Sequence, residues 1–295
     1  MAVIGSSSMV GSRFCELYDG QIIEADFKGK VSVDITDFQS VNNFFSANNF
    51  DWVVLFSAFT DVDAAEKQKD DRRGSCWLIN VEGVKNIINA CKKFDRKLIF
   101  ISTDFVFDGD NGPYSEEDLT GPNLNKVSWY GITKIEAEKH TQKLLKDFII
   151  LRITYPYRAR YVQKDDIAKR ILRLYMRAKL YPMFYDQKTT PTFVDDVPRA
   201  IALLVDQNQS GIFHLTSPTM TTQYEFAKKV IEVFGGNPAN VSKSSIREFL
   251  KKKGSTPRPI NGGLKVDKIK SLGFEPTPWD VGINEIFMQS KGKLI

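Results

Sequence analysis

The chain has 295 residues, 42% of them hydrophobic, and a formal net charge of +5, which is enough apolar material for one large domain or two smaller ones. Lys/Arg and Asp/Glu are interspersed, so the positive balance draws no nucleic-acid footprint; without a run of ~18 apolar residues or a basic-then-apolar leader, a soluble cytoplasmic protein with no membrane partner is expected. Cys15, Cys76 and Cys91 lack CxxC spacing and only His140 and His214 could serve as imidazole ligands, so no disulfide and no metal site are expected.

Ala2-Val3-Ile4 reads as a short apolar strand, followed by the small-residue turn Gly5-Ser6-Ser7-Ser8-Met9-Val10-Gly11 and a helix with Val10, Phe14 and Leu17 on one face. A turn of this kind lets phosphates approach the backbone and the free N–H groups of a helix N-terminus. Residues 21–25 form a second strand ending at Asp26, about 20 residues after Gly5, where an acid accepts hydrogen bonds from an adenosine ribose and disfavours a 2′-phosphate. Lys28 and Lys30 follow and could pair with that phosphate, so NAD(H) and NADP(H) both stay open.

Residues 31–37 read as a third short strand, placing Asp34 and Ile35 where an adenine could rest, ahead of a helix with Phe38, Val41, Phe44 and Phe45 inward. The apolar run 52–56 is expected to be a buried parallel strand, with the small residues Ser57 and Ala58, then Phe59, at its carboxyl end beneath the cofactor. A long amphipathic helix over 75–94 carries Asn80, and a strand over 98–102 ends at Ser102 and Thr103. Strands alternating with helices imply βαβ units and a Rossmann-like, doubly wound parallel sheet.

After the long loop following Phe107-Asp108-Gly109 comes Tyr130-Gly131-Ile132-Thr133-Lys134. On one helix the i,i+4 spacing puts Tyr130 and Lys134 on a single face, where the ammonium would lower the phenol's pKa and let Tyr130 act as a proton donor, with Thr103 steadying the same oxygen. A strand is expected over 148–152. A helix over 165–180 carries Lys169, Arg173 and Arg177 at i,i+4 spacing, a row that could meet a diphosphate but reads first as a solvated face. His214 falls in a short strand and reads as a packed core histidine; Thr222-x-x-Glu225 and Ser245-x-x-Glu248 read as capping boxes.

Four phrases now carry a resemblance: Ser57-Ala58-Phe59-Thr60-Asp61-Val62-Asp63, Ser102-Thr103-Asp104-Phe105-Val106-Phe107-Asp108-Gly109, the Tyr130 to Lys134 stretch, and Leu151-Arg152-Ile153-Thr154-Tyr155. The chain resembles the extended short-chain dehydrogenase/reductase superfamily and, within it, the dTDP-4-dehydrorhamnose reductase family. That resemblance implies an NAD(P)H-dependent reductase acting on a nucleotide sugar, dTDP-4-dehydro-L-rhamnose, for polysaccharide synthesis, and it is compatible with a homodimer. It implies Thr103, Tyr130 and Lys134 as the catalytic set. Gly5, Ser7, Ser8, Met9, Val10, Gly11, Asp26, Asp34, Ile35, Ser57, Ala58, Phe59, Asn80 and Ser102 would line the cofactor with Tyr130 and Lys134. Val62, Asp63, Thr103, Asp104 and Tyr155 would meet the sugar.

The implied organisation is a dinucleotide-binding domain of residues 1–153 and 191–215, with a discontinuous substrate-binding α/β region of 154–190 and 216–295. Three departures stand out: Ser8 in place of a glycine, Tyr155 in place of a tryptophan, and the extra sequence Asn125 to Trp129 before the tyrosine. Two other readings remain open. One is a nucleotide-sugar epimerase or dehydratase, although a dehydratase usually has an Asp-Glu pair where this chain has Asp104-Phe105. The other is a non-catalytic, dinucleotide-binding regulatory subunit similar to the methionine adenosyltransferase β subunit.

Overall fold

Apolar runs punctuated by amphipathic helices assemble, in the computed structural model, into a six-stranded sheet; residues 1–294 are described. Its strands are β1 (Ala2–Ile4), β2 (Ile23–Ala25), β3 (Trp52–Leu55), β4 (Lys97–Thr103), β5 (Phe148–Ile153) and a sixth, Gly211–His214. The order is β2-β1-β3-β4-β5-sixth, with β1 parallel to both β2 and β3, and β3 parallel to β4. Parallel neighbours need crossovers, which α1 (Met9–Leu17), α2 (Phe38–Ala47) and the helix closing at Phe94 supply. Helices on both faces explain why β1 and β3 show no polar alternation and are buried throughout. The order reverses beside β1, so the carboxyl ends of β1 and β3 flank a crevice of the kind that binds ligands.

Three local expectations are corrected. Residues 31–37 form no strand: a single bridge joins Asp26 to Ser32, and the Asp34 carboxylate turns back to accept from the Thr36 N–H (2.9 Å) and hydroxyl (2.7 Å). Local side-chain bonding of this kind offers the backbone an alternative to a ladder, while Val33 and Ile35 still bury their side chains. Phe38 and Leu17 are exposed, each at the terminal turn of its helix; Val41, Phe44 and Phe45 carry the inner face of α2. The helix over 75–94 is also not uniform, because a π-helical turn, Leu78–Gly83, interrupts it.

The chain divides into two compact units. The first comprises Met1–Asp108, Leu119–Arg152 and Pro198–Phe213, and holds the sheet with a core that includes Ile4, Phe45, Val53, Ile87 and Phe100. The second comprises Gly109–Asp118, Ile153–Val197 and the chain from His214 onward. Its core gathers Tyr157, Phe193, Phe226, Ile231 and Ile283 among the helices Ile167–Met176, Gln223–Val233 and Trp279–Ser290. Gly109–Asp118 joins it through the Asn261 N–H to Gly109 carbonyl bond (2.8 Å) and the Tyr114 N–H to Gly263 carbonyl bond (3.1 Å). Thr222 caps its helix as the sequence suggests, accepting from the Glu225 N–H, and Ser245 does the same for Glu248. His214 is fully buried with Nδ1 against the Lys265 carbonyl, a packed role. Lys169, expected on a solvated face, is instead 2% exposed. Among the described residues no helix is long and apolar enough to cross a membrane.

Candidate active site

The turn after β1 is built around two glycines. Gly5 has φ +87°, and a Cβ there would sit 2.5 Å from the Ser57 backbone nitrogen; at Gly11 it would sit 2.2 Å from the Gly5 carbonyl oxygen. Only glycine lets the first turn of α1 close on β1 in this way. Ser8 has its own role as the α1 N-cap, its hydroxyl accepting from the Gly11 N–H at 3.0 Å, which is why serine serves where the usual form has glycine. Met9 and Val10 occupy a first turn that carries no acidic residue. A narrow glycine cradle at a helix N-terminus fits the pyrophosphate of a dinucleotide.

At the end of β2, Asp26 accepts from the Ser7 N–H (2.8 Å), the Ser7 hydroxyl (2.7 Å) and the Phe27 N–H (2.7 Å). A carboxylate thus fixed repels a 2′-phosphate and occupies the Ser7 donors that could have held one. Asp26→Ala is expected to raise the NADPH/NADH ratio of kcat/KM by ~10-fold, because the freed Ser7 donors face the phosphate. An unchanged ratio would remove Asp26 from the ribose. The Asp34-Ile35 turn is pinned from behind, the Ile35 carbonyl accepting from Asn86 at 2.9 Å.

Asn80 sits in the π-helical turn and clamps the loop after β3. Its Oδ1 accepts from the Phe59 N–H (2.8 Å), and its Nδ2 donates to the Phe59 carbonyl (3.0 Å) and to the Thr133 hydroxyl (3.0 Å). Thr133 in turn donates to the Tyr130 carbonyl at 2.7 Å. The Asn80 side chain therefore ties the Ser57, Ala58 and Phe59 strand end to the tyrosine helix. π-Helical turns concentrate at functional sites, and this one places the amide that makes the tie.

The helix Trp129–Leu144 begins with Ser128 as N-cap, and a Cβ on Gly131 would lie 2.2 Å from the Phe105 carbonyl oxygen. That close approach brings Tyr130 edge-on to Phe105 (6.0 Å) and its phenol near Thr103 at the end of β4. Thr103 also donates to the Asp104 carboxylate at 3.2 Å. Lys134, 3% exposed, donates to the Ile101 carbonyl at 2.9 Å and lies over the Phe100 ring. Burial lowers its pKa to about 8, against the raising influence of Glu138 and Cys76. The expected lowering of the phenol does not occur: burial pushes Tyr130 up, with Asp104 and Cys76 adding to it and the Thr103 hydrogen bond opposing it.

Beside Tyr130 and Lys134 lies an ion pair that sequence reasoning missed. Ser102 donates its hydroxyl to Glu138 at 2.5 Å, and Glu138 is gripped by Arg152 through Nε (2.9 Å) and Nη2 (2.6 Å); all three are 2% exposed or less. Ser102 is thus a support under the site, its hydroxyl turned to Glu138. The signal was there in the spacing: Tyr130, Lys134 and Glu138 stack at i, i+4, i+8 on one buried face. Val62 opens α3 (Val62–Glu66) behind the Asp61 cap, with Asp63 exposed. Tyr155 belongs to the second unit, where its hydroxyl accepts from Gln223 at 3.2 Å.

The sequence matches the RmlD substrate binding domain family over residues 1–291. The chain belongs to this family. Similar members include a dTDP-4-dehydrorhamnose reductase of Sinorhizobium fredii, 32% identical over 244 residues and covering 78% of this chain and 77% of that one. The methionine adenosyltransferase 2 subunit beta of Pongo abelii is 28% identical over 241 residues, 79% of this chain and 68% of that one. Among solved structures, a dTDP-4-dehydrorhamnose reductase of Bacillus anthracis in complex with NADP superposes with a TM-score of 0.86 at 26% identity, covering 98% of each chain. The RmlD family assignment agrees with the Rossmann-type sheet and with a dinucleotide cradle after β1.

Proposed function

We propose that Thr103, Tyr130 and Lys134 are the catalytic groups of an NAD(P)H-dependent reductase that converts the 4-keto group of a nucleoside-diphosphate 6-deoxy sugar, dTDP-4-dehydro-L-rhamnose, to the alcohol. The first unit holds the dinucleotide and the second the nucleotide sugar. What carries the reading is the nearness of the Tyr130 phenol to Thr103 at the carboxyl end of β4, with Lys134 one turn away on the same helix. A bound reduced nicotinamide supplies the hydride. Thr103 holds the carbonyl oxygen, and Tyr130 delivers the proton that oxygen needs as it becomes an alkoxide. Its raised pKa suits that direction, since a phenol that stays protonated at neutral pH has a proton to give. Lys134 then stands one turn from the phenolate left behind and returns the charge balance.

Consumption of NADH or NADPH with dTDP-4-dehydro-L-rhamnose, followed at the reduced-nicotinamide absorbance, tests the reading; cofactor binding without oxidation would shift weight to a regulatory subunit, a role the similarity to the methionine adenosyltransferase β subunit keeps in view. A pH series supplies an independent check. The folded pKa of Lys134, about 8, lies below the unfolded value near 10.5, so the ammonium costs stability below pH 8 and that cost fades as pH rises from 8 to 10.5. Between those limits the unfolded chain binds more protons, and the stability of wild type relative to Lys134→Met is expected to rise by up to ~3 kcal/mol. Denaturation at pH 7 and pH 10 measures it; a flat difference would mean that Lys134 is not depressed. Activity should fall above pH 8 as the ammonium is lost.

A further inference from the structure

In the first unit, the helix that carries Tyr130 opens with N–H groups that the helix itself cannot satisfy, and its first turn contains no acidic residue. Ser128 takes the Gly131 N–H at 3.2 Å. The Trp129 N–H is met from outside: Glu66, the last residue of α3, accepts it through Oε2 at 2.8 Å, across 63 positions of sequence. The other carboxylate oxygen, Oε1, lies 3.6 Å from the Lys69 ammonium, an exposed partner of little weight. Trp129 is 4% exposed, so losing Glu66 would leave its N–H with the cost of an unmet buried donor.

Two further contacts hold the same turn. The Trp129 ring stacks on Trp77, with 5.5 Å between centroids and 21° between planes. Gln68, two residues beyond Glu66, accepts from the Cys76 N–H at 3.0 Å and so ties the chain after α3 to the turn that carries Trp77. α3, Trp77 and Trp129 thus brace one another around the residue that precedes Tyr130. The extra sequence that sets this chain apart, Asn125 to Trp129, supplies the indole that completes the brace. α3 also opens with Val62 and Asp63, the pair expected to meet the sugar.

We propose that Glu66 is a positioning residue, whose bond to the Trp129 N–H latches α3 onto the start of the tyrosine helix and so sets Tyr130 relative to the Val62-Asp63 turn that meets the sugar. The latch rests on geometry; its use in catalysis rests on the reductase reading. A carboxylate at this helix N-terminus also lies favourably with the helix dipole. A displacement on the order of 1 Å can cost ~10²-fold in rate, so one bond beside the proton donor is felt in kcat. The glycine cradle after β1 takes no part in the brace, and cofactor affinity should not follow.

Steady-state kinetics of the full chain with NADH and dTDP-4-dehydro-L-rhamnose, beside cofactor titration, test the latch. Glu66→Leu should lower kcat ~10-fold with the Kd for NADH within about twofold, and Glu66→Gln, which keeps an acceptor, should stay within about threefold of wild type. A merely structural contact would lower Tm and leave kcat of the folded protein alone, so Glu66→Leu turning over as wild type overturns the proposal. A Glu66→Gln variant as slow as Glu66→Leu also overturns it, because the effect would then belong to the charge and not to the bond. Should Glu66→Leu fail to fold, Glu66→Ala takes its place under the same criteria. Hydrogen exchange of the Trp129 amide reads the latch without turnover: it should quicken ~10-fold in Glu66→Leu and stay near the wild-type rate in Glu66→Gln. Equal rates in wild type and Glu66→Leu overturn the proposal. A wild type that oxidises no cofactor but shows this exchange pattern keeps the latch and loses the reductase reading.

Discussion

Replacing Tyr130 by phenylalanine is expected to lower kcat by ~10²–10⁴-fold, the usual worth of a positioned acid, while the Kd for reduced nicotinamide stays within about twofold. The ring is 8% exposed and packs edge-on against Phe105, contacts that phenylalanine keeps. What disappears is the hydroxyl near Thr103 and, in the reaction, the proton that converts alkoxide to alcohol. Because the hydroxyl acts mainly when charge develops on the sugar oxygen, kcat and kcat/KM should fall together. Steady-state kinetics beside fluorescence titration of the cofactor would measure both. Turnover kept within tenfold would assign the proton to another group.

Arg152→Met is expected to destabilise the fold by ~3–5 kcal/mol, since it leaves the Glu138 carboxylate in a dry interior without its cation. At this chain length the loss corresponds to a Tm decrease on the order of 10 °C. The pair is 2.6 Å apart with both side chains at 1–2% exposure, and Arg152 also lies over the Phe107 ring. The double variant Arg152→Met with Glu138→Leu should recover much of the loss, because paired apolar replacements leave no orphan charge. Thermal unfolding of the single and double variants checks this. A single variant as stable as wild type would mean that the ion pair does not hold the fold together. The same carboxylate raises the pKa of Lys134, so Glu138→Gln alone should move the activity limb below pH 8.

Much of this architecture was legible because its determinants are local. The glycines at 5 and 11, the apolar runs that became β1 and β3, and the Tyr130 to Lys134 spacing each follow from one turn of backbone. The strand expected over 31–37 failed for an equally local reason, the Asp34 carboxylate satisfying Thr36 before a ladder could form. What stayed hidden was tertiary. Nothing in the run around Lys169 distinguishes it from Arg173, yet one is buried and the other pairs with Asp165 at the surface. The direction of the Tyr130 pKa was misjudged because helical spacing measures proximity to Lys134 but not dehydration, which is the larger influence. Asn80 could be picked out, but its two bonds to Phe59 depend on a π-helical turn that apolar periodicity does not register.

The sheet's last strand has a consequence for how the protein is made. β5 is complete once residue 153 has left the ribosome, but its edge partner Gly211–His214 is roughly 60 residues further on, some 3–12 s at ordinary rates of synthesis. Throughout that interval the apolar strand Phe-Ile-Ile-Leu-Arg-Ile offers an open edge, the kind of segment that recruits another nascent chain. Arg152 is its only charge, and the Glu138 that neutralises it is already translated, so the buried pair can form before the edge is closed. Slower initiation or a lower growth temperature, by spacing nascent chains or weakening their apolar attraction, should therefore raise the soluble yield of this protein.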